Sequence, residues 1–200
     1  PDNFNFGFDV IDKYAEIDPE KIALIWTNDE DEKHTFTFSD VKKYSNKIAN
    51  FFTKKGIKKG DKVLLVLKRH YQFWFSMLAL NKLGAIAIPA TSQLKEHDYE
   101  YRFKAAGISA IICTSEDGAA NKVDEALKNY DGMKNKIIVG EERSGWRNFN
   151  EEYTLYSTHY NRTKESPCGN DTMLMYFTSG TSGYPKIAVH NYKYPLGHFH

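Results

Sequence analysis

The sequence has almost no net charge, because its 27 lysines and arginines are balanced by 26 aspartates and glutamates. This balance creates no overall field that would favour a nucleic acid or a membrane surface as a partner, and we expect neither. Cysteine is scarce as well: only Cys113 and Cys168 are present, and their spacing matches no metal-binding motif. Such low cysteine usage indicates a reducing compartment, so we predict a cytoplasmic location.

Long apolar runs are also lacking. The longest apolar zone, residues 73–90, is interrupted by Asn81, Gly84 and Pro89, so it is unsuited to crossing a bilayer. The first residues are polar and do not look like a secretory signal. Because the chain starts without methionine and stops abruptly at His200, we expect it to be a piece of a longer protein. Its 41% hydrophobic and 14% aromatic content is typical of a folded domain with a sizeable core.

The most distinctive stretch is a run of hydroxyl-bearing residues and glycines between Thr178 and Lys186, Thr-Ser-Gly-Thr-Ser-Gly-Tyr-Pro-Lys. An apolar strand is predicted before it at 172–177, and a second strand is predicted after it at 187–190. The glycines allow the backbone to approach a ligand closely. Successive backbone amides, side-chain hydroxyls and one ammonium group together suit an anion, and phosphate is the anion that fits best.

Two common phosphate-binding motifs do not fit this loop. The Walker pattern G-x-x-x-x-G-K-[ST] opens a helix, whereas here Pro185 replaces the second glycine, Ile187 replaces the final hydroxyl, and a strand is predicted next. The dinucleotide fingerprint G-x-G-x-x-G lacks its first glycine. These mismatches disfavour a kinase or another phosphotransfer enzyme. The alternative to a phosphate-binding loop is a serine-rich hairpin that binds no ligand.

The chain before this loop predicts an α/β fold, a mostly parallel sheet flanked by helices, with the loop carried on a β-hairpin. Strand and helix patterns alternate at the spacing of βαβ units. The predicted strands in this part are 22–26, 33–38, 63–67, 85–88, 109–113 and 136–139. The predicted helices are 10–17, 40–54, 71–83, 96–106, 115–130 and 148–156.

Capping residues mark several helix ends. Ser39 is predicted to cap the helix that follows it, and Gly56 is predicted to end that helix. Ser115 is predicted to cap the helix after it in the same way. The helix 71–83 carries almost no charge, so we expect it to be buried on nearly all sides, with Trp74 as a packing residue.

Other residues that could carry chemistry have simpler interpretations. His70 could act as a base, but we interpret it as an ordinary loop residue. His190, His198 and His200 lie near the phosphate loop without the spacing of a zinc motif. Cys113 ends an apolar strand pattern and is interpreted as a small buried hydrophobic residue.

The loop resembles the signature [ST]-S-G-[ST]-[ST]-G-x-P-K of the adenylate-forming, or AMP-binding, superfamily. This superfamily contains acyl-CoA synthetases, luciferases and the adenylation domains of peptide synthetases. The match over 178–186 is complete, and the stretches 35–41 and 80–89 resemble two further motifs of the superfamily. Tyr176, Phe177 and the stretch 194–198 look most like an acyl-CoA synthetase of the medium-chain type.

The resemblance implies an organisation for the chain. Residues 1–200 would form the N-terminal portion of the large AMP-binding domain, which would be incomplete. Within it, residues 10–140 would be the βαβ core, 141–171 a connector and 172–190 the hairpin with the phosphate loop.

The resemblance also implies a reaction in two steps. A carboxylate attacks the α-phosphate of ATP to give acyl-AMP and pyrophosphate, and the thiol of coenzyme A then displaces AMP to give a thioester. The loop residues implied to bind ATP are Thr178, Ser179, Gly180, Thr181, Ser182, Gly183, Tyr184, Pro185 and Lys186. Thr178 matches a contact of Mg²⁺, and Gln93 matches a position that contacts coenzyme A in medium-chain relatives. A plain loop glutamine remains the alternative for Gln93.

Several motifs of the superfamily are absent from these residues. They are the adenine-binding stretch, the ribose-binding motif, the hinge and the C-terminal catalytic lysine, all of which normally follow the loop. We therefore assign no catalytic residue here, and we expect the chain alone to be inactive. Its expected partners are a small carboxylic acid and the remainder of its own chain. Two alternatives stay open: a non-catalytic nucleotide-binding module of the same fold, and another adenylate-forming ligase.

Overall fold

The computed structural model describes residues 2–179 and 183–198. The predictions for Gly180, Thr181, Ser182 and His200 lie outside the described residues. The strands are β1 Ile22–Thr27, β2 Lys33–Thr37, β3 Lys62–Val66, β4 Ile86–Pro89, β5 Ala110–Thr114, β6 Asn135–Val139, β7 Arg147–Asn148, β8 Thr172–Thr178 and β9 Lys186–Asn191. The α-helices are α1 Lys13–Ile17, α2 Phe38–Lys54, α3 Gln72–Leu83, α4 Glu96–Ala106, α5 Ala119–Ala126 and α6 Phe149–Glu152. A π-helix spans Gly7–Asp12, and short 3₁₀ segments lie at Glu116–Gly118, Leu127–Asn129, Tyr153–Leu155 and Tyr194–His198.

The described strands form a seven-stranded sheet in the order β7-β6-β5-β3-β4-β8-β9 and a two-stranded sheet of β1 and β2. Neighbouring strands of the large sheet run parallel. The exception is β8 with β9, which form an antiparallel hairpin. The predicted fold class, a mostly parallel sheet flanked by helices with a β-hairpin, is therefore confirmed.

Helices cover both faces of the large sheet. Val63 and Leu65 of β3 belong to one hydrophobic core, which also contains residues of α2 and α3. Leu64 and Val66 belong to a second core, with residues of α4 and α5. Because side chains alternate between the two faces of a strand, consecutive apolar residues are needed where both faces are covered. This explains the continuous apolar runs in the sequence.

A capping box starts α2. The Oγ1 of Thr37 accepts a hydrogen bond from the backbone N–H of Asp40 at 3.2 Å. In return, the backbone N–H of Thr37 donates to Asp40 Oδ2 at 3.1 Å. The prediction of Ser39 as the cap is wrong, because α2 begins at Phe38 with Thr37 as its N-cap, and Ser39 already lies inside the first turn. Gly56 follows the helix with a φ of 83°, as its predicted role requires.

The capping box leads to a prediction of stability. Replacing Thr37 by alanine should lower the free energy of unfolding by about 1 kcal/mol, because the backbone N–H of Asp40 loses its acceptor and Asp40 Oδ2 loses the hydroxyl that donates to it. Ser39→Ala is the matched control, and its effect should stay within about 0.5 kcal/mol. Urea unfolding followed by circular dichroism measures both. Equal losses in the two variants would contradict the assignment of the cap.

The predicted helix 115–130 is broken into three pieces in the structure. Asp117 and Gly118 have φ angles of 57° and 64°, in the left-handed region, so a 3₁₀ turn ends there before α5 begins. The hydroxyl oxygen of Ser115 does not cap a helix but accepts from the backbone N–H of Glu141 at 3.0 Å. The predicted helix 148–156 is likewise only α6 followed by a 3₁₀ turn.

The burial of α3 differs from the prediction on one side. Trp74 is 54% exposed, so α3 has a solvent-facing side and Trp74 is not a buried packing residue.

Cys113, by contrast, is fully buried in β5, as predicted. Burial raises the pKa of its thiol to about 12, which keeps it protonated and unreactive. None of the helices in the described ranges has the length and apolar content needed to cross a membrane.

A charged residue of α3 lies inside the protein. Lys82 is fully buried, and its Nζ lies 2.6 Å from Asp12 Oδ1 in the π-helix. The same ammonium donates to Asn46 Oδ1 at 2.7 Å and to Ser45 Oγ at 3.1 Å, both on α2. The sequence pattern gave no indication of this network. It ties the N-terminal π-helix to two helices of the first core.

Candidate functional site

The loop of hydroxyls and glycines lies at the carboxyl edge of the large sheet. We call residues 179–185, which connect β8 to β9, the phosphate loop. Because β8 is parallel to β4, the phosphate loop and the residues that follow β4 emerge from the same edge. Ligands of open α/β sheets bind at this edge. The topology therefore places the predicted ATP contacts and Gln93 on the same side of the sheet.

The base of the phosphate loop pairs a hydroxyl-bearing residue with a lysine across the hairpin. Thr178 and Lys186 are the last paired residues of the hairpin, directly opposite each other. The hydroxyl of Thr178 donates to the backbone oxygen of Lys186 at 3.4 Å. Side chains of directly opposed residues lie on the same face of a sheet, so both reach the same space. Both residues are exposed, and no ion pair in the described part of the chain uses the ammonium group of Lys186.

The described part of the phosphate loop is open to solvent. Ser179, Gly183 and Tyr184 are exposed, and Pro185 is half-buried. Gly183 has a φ of 102°, a conformation that strains any residue with a side chain. These positions agree with a loop that could receive an anion from solvent. The individual roles of residues 178–186 in ATP binding stay a prediction.

Two residues of α4 contact the hairpin, and sequence reasoning missed both. The ring of Tyr101 stacks on the ring of Tyr184 with centroids 4.7 Å apart, and its hydroxyl donates to the backbone oxygen of Pro185 at 2.9 Å. The guanidinium of Arg102 lies over the ring of Phe177, 5.0 Å from its centroid. The sequence offers one weak signal for these contacts. Tyr101 and Arg102 are long side chains that lie between Tyr99 and Phe103, the buried residues of α4.

Gln93 is exposed in the segment after β4. The preceding residue, Ser92, is buried, and its hydroxyl donates to Asp117 Oδ2 at 3.0 Å. The backbone N–H of Gln93 donates to Thr91 Oγ1 at 3.2 Å. These bonds hold the segment while its glutamine side chain faces solvent. A contact of Gln93 with coenzyme A stays a prediction.

An internally paired cluster fills the crevice between the carboxyl ends of β3 and β5. Strand order changes direction at this point, because β4 and β5 lie on opposite sides of β3. Lys68 Nζ lies 2.9 Å from Glu116 Oε2 and 3.3 Å from Asp117 Oδ2. The hydrogen bonds to these carboxylates raise the pKa of Lys68. Since these charges neutralise one another, the crevice offers less attraction to a phosphate than the phosphate loop does.

His70 belongs to the same cluster and lies in a loop, as predicted. Its Nε2 lies 2.8 Å from Thr114 Oγ1 and 3.4 Å from Glu116 Oε1. Burial lowers the pKa of His70, so the imidazole is neutral at pH 7. A neutral ring in contact with a threonine hydroxyl supports a structural role.

Comparisons with known proteins agree on one family. A family model described as AMP-binding enzyme matches residues 11–197. The acyl-coenzyme A synthetase ACSM5, mitochondrial, of Rattus norvegicus is 34% identical, and the match covers 98% of this chain and 35% of that protein. The acyl-coenzyme A synthetase ACSM3, mitochondrial, of Homo sapiens is 32% identical, and the match covers 96% of this chain and 33% of that protein.

A solved structure extends the similarity to the fold. The anthranilate CoA ligase AuaEII, crystallised in complex with anthranoyl-AMP, superposes with a TM-score of 0.86 at 25% sequence identity. The superposition covers 98% of this chain and 36% of that one. The chain thus spans about a third of the length of the curated relatives it matches.

Proposed function

Because the chain belongs to the AMP-binding enzyme family, we propose that it is the N-terminal part of an acyl-CoA synthetase. The names of the two relatives and of the solved ligase support this class of reaction. The full-length protein would join a carboxylic acid to AMP with release of pyrophosphate, and would then transfer the acyl group to coenzyme A. We propose further that the carboxylic acid substrate is one of fatty acid metabolism.

The observation that carries the proposal is the pair of Thr178 and Lys186 at the base of the phosphate loop. A carboxylate is a poor nucleophile toward an anionic triphosphate, so the site must offset negative charge and hold the reacting atoms in line. The ammonium of Lys186 supplies the charge, and the hydroxyl of Thr178 lies on the same face of the hairpin. Both groups would hold the phosphates that leave as pyrophosphate.

Magnesium is part of the proposal, and the residues present fit a limited role for it. No set of three or more His, Cys, Asp or Glu side chains within 2–179 and 183–198 is arranged to hold a metal ion. Enzymes that use ATP bind Mg²⁺ through one or two protein oxygens, with phosphates and water supplying the rest. The exposed hydroxyl of Thr178 would be one such oxygen. The ion would neutralise charge on the phosphates.

The proposal is tested with the full-length protein and a panel of carboxylic acids of different chain lengths. ATP-dependent formation of a thioester with coenzyme A, together with release of AMP and pyrophosphate, is the expected result. Acyl-AMP without thioester would indicate another adenylate-forming ligase instead. Binding of ATP without turnover of any acid would favour a non-catalytic module and would overturn the proposal.

The 200-residue chain alone is predicted to be inactive. It spans about a third of the length of its curated relatives, so it supplies only part of such an enzyme. ATP–pyrophosphate exchange by this chain should therefore stay at the background of the assay, while the full-length protein exchanges. Exchange by the chain at a rate close to that of the full-length protein would contradict the prediction.

We also keep a cytoplasmic location as a proposal, which rests on the scarcity of cysteine. The names of the two relatives place those proteins in mitochondria. Fluorescence microscopy of the tagged full-length protein with markers of both compartments distinguishes the two locations.

A further inference from the structure

We propose that Tyr101 of α4 is a positioning residue that fixes the arm of the phosphate loop leading into Lys186. This inference rests on the proposed function, because it assigns Tyr101 a role in the binding of ATP. The side chain makes two different contacts with two consecutive loop residues. Its ring stacks on Tyr184 at 4.7 Å and an interplanar angle of 23°, and its hydroxyl donates to the backbone oxygen of Pro185 at 2.9 Å.

The helix that carries Tyr101 is held firmly in the protein. Tyr99 and Phe103, on either side of Tyr101 in α4, are both fully buried in the second core. Packed side chains of this kind have little freedom to shift. Tyr101 therefore presents its ring and hydroxyl from a fixed element to an exposed loop.

The contacts of α4 reach both arms of the hairpin. Arg102 lies over the ring of Phe177, which precedes the phosphate loop in β8. Tyr101 holds Tyr184 and Pro185, which follow the apex and directly precede Lys186. Two consecutive residues of α4 thus contact the hairpin both before and after the phosphate loop apex.

The bond to Pro185 acts on the residue next to it. Fixing the carbonyl of Pro185 restricts the backbone from which Lys186 extends its ammonium group. Without that bond the arm samples more conformations, and ATP must order it on binding, which weakens binding. The expected consequence is a higher KM for ATP with little change in the KM for the carboxylic acid.

The test compares single variants of the full-length protein. Tyr101→Phe removes the hydroxyl and keeps the ring, and it should raise the KM and the Kd for MgATP about three- to ten-fold. Tyr101→Leu removes the stacked ring as well, and it should raise them further, to about 30-fold. Equilibrium binding of MgATP gives the Kd, and ATP–pyrophosphate exchange gives KM and kcat separately.

Tyr130→Phe is the matched control. The hydroxyl of Tyr130 also donates to a backbone oxygen, that of Ile108, at 2.8 Å, and its ring packs on Phe103. This variant loses the same kind of bond, and Tyr130 forms no hydrogen bond or ring contact with the described residues of the phosphate loop, 179 and 183–185. Its KM and Kd for MgATP should equal those of the wild type. Partial unfolding lowers the number of active molecules and hence kcat, but it leaves KM unchanged.

The outcomes separate this inference from the proposed function. Unchanged KM and Kd for MgATP in Tyr101→Phe, in an enzyme whose wild type forms acyl-AMP, would overturn the inference alone. Equal increases in Tyr101→Phe and Tyr130→Phe would reduce Tyr101 to a structural residue and overturn it too. A wild type that neither binds MgATP nor forms acyl-AMP would contradict the proposed function, and it would therefore contradict this inference as well.

Discussion

Replacing Lys186 by alanine in the full-length protein is expected to slow acyl-adenylate formation roughly 30- to 1,000-fold, or about 2 to 4 kcal/mol of transition-state stabilisation. Lys186 is paired with Thr178 at the base of the phosphate loop, and it is exposed and forms no ion pair in the described part of the chain. Negative charge moves onto the leaving pyrophosphate during the reaction. A fixed positive charge at that position therefore stabilises the transition state more than the bound ATP.

The arginine variant separates charge from geometry. Lys186→Arg keeps the positive charge but replaces a compact ammonium by a planar fork of donors, so it should recover part of the lost rate. Lys193→Ala is the control, since Lys193 lies just after β9 and pairs with Asp2 at 2.7 Å. Its rate should match the wild type in ATP–pyrophosphate exchange. A rate for Lys186→Ala within about two-fold of the wild type would show that Lys186 does not stabilise the leaving phosphates.

The sequence predicted the core of the fold because buried parallel strands leave a strong pattern. β3 and β5 are covered on both faces, so residues 63–66 and 110–113 are apolar without interruption. The bounds of α4 were also correct, since Gly107 takes the left-handed conformation that ends the helix. The order of the strands was not predictable in the same way. It depends on pairing between distant residues, such as Ala87 with Leu174.

The candidate site could be predicted only where it is continuous in sequence. Residues 178–186 form one motif, and the structure places both ends of that motif side by side. Tyr101 and Arg102 were missed because they contact the hairpin from a helix more than seventy positions earlier. Lys82 was missed for a different reason. A single lysine in an apolar helix usually faces solvent. Lys82 is instead buried, and its ammonium group donates hydrogen bonds to three acceptors.

Replacing that buried lysine by methionine is expected to lower the free energy of unfolding of the chain by about 3 to 5 kcal/mol. The change keeps a similar volume but leaves the carboxylate of Asp12 without its cation, 2.6 Å from where the ammonium lies in the wild type. Asn46 and Ser45 lose a donor at the same time. Urea unfolding of the 200-residue chain measures the loss. Lys128→Met is the control, because Lys128 is exposed and forms only a surface pair, with Glu125, among the ion pairs of the described residues.

The dependence of this loss on pH identifies its cause. Burial raises the pKa of Asp12, and the charge and hydrogen bond of Lys82 oppose that rise in the wild type. In Lys82→Met the pKa of Asp12 therefore rises further above its value in the unfolded chain. A raised folded pKa gives stability that is present at low pH and lost as the pH increases through that pKa. The deficit of the variant should consequently be larger near about pH 8 than near about pH 5.

A second substitution tests whether the unpaired charge causes the deficit. Adding Asp12→Asn to Lys82→Met removes the carboxylate charge and should recover part of the lost stability, because an uncharged amide costs less to bury than an isolated carboxylate. The deficit of the double variant should then vary less with pH between about pH 5 and 8 than the deficit of the single variant. If the single and double variants lost the same amount at every pH, the deficit would come from packing, and the ion pair would not be what holds the π-helix to α2 and α3.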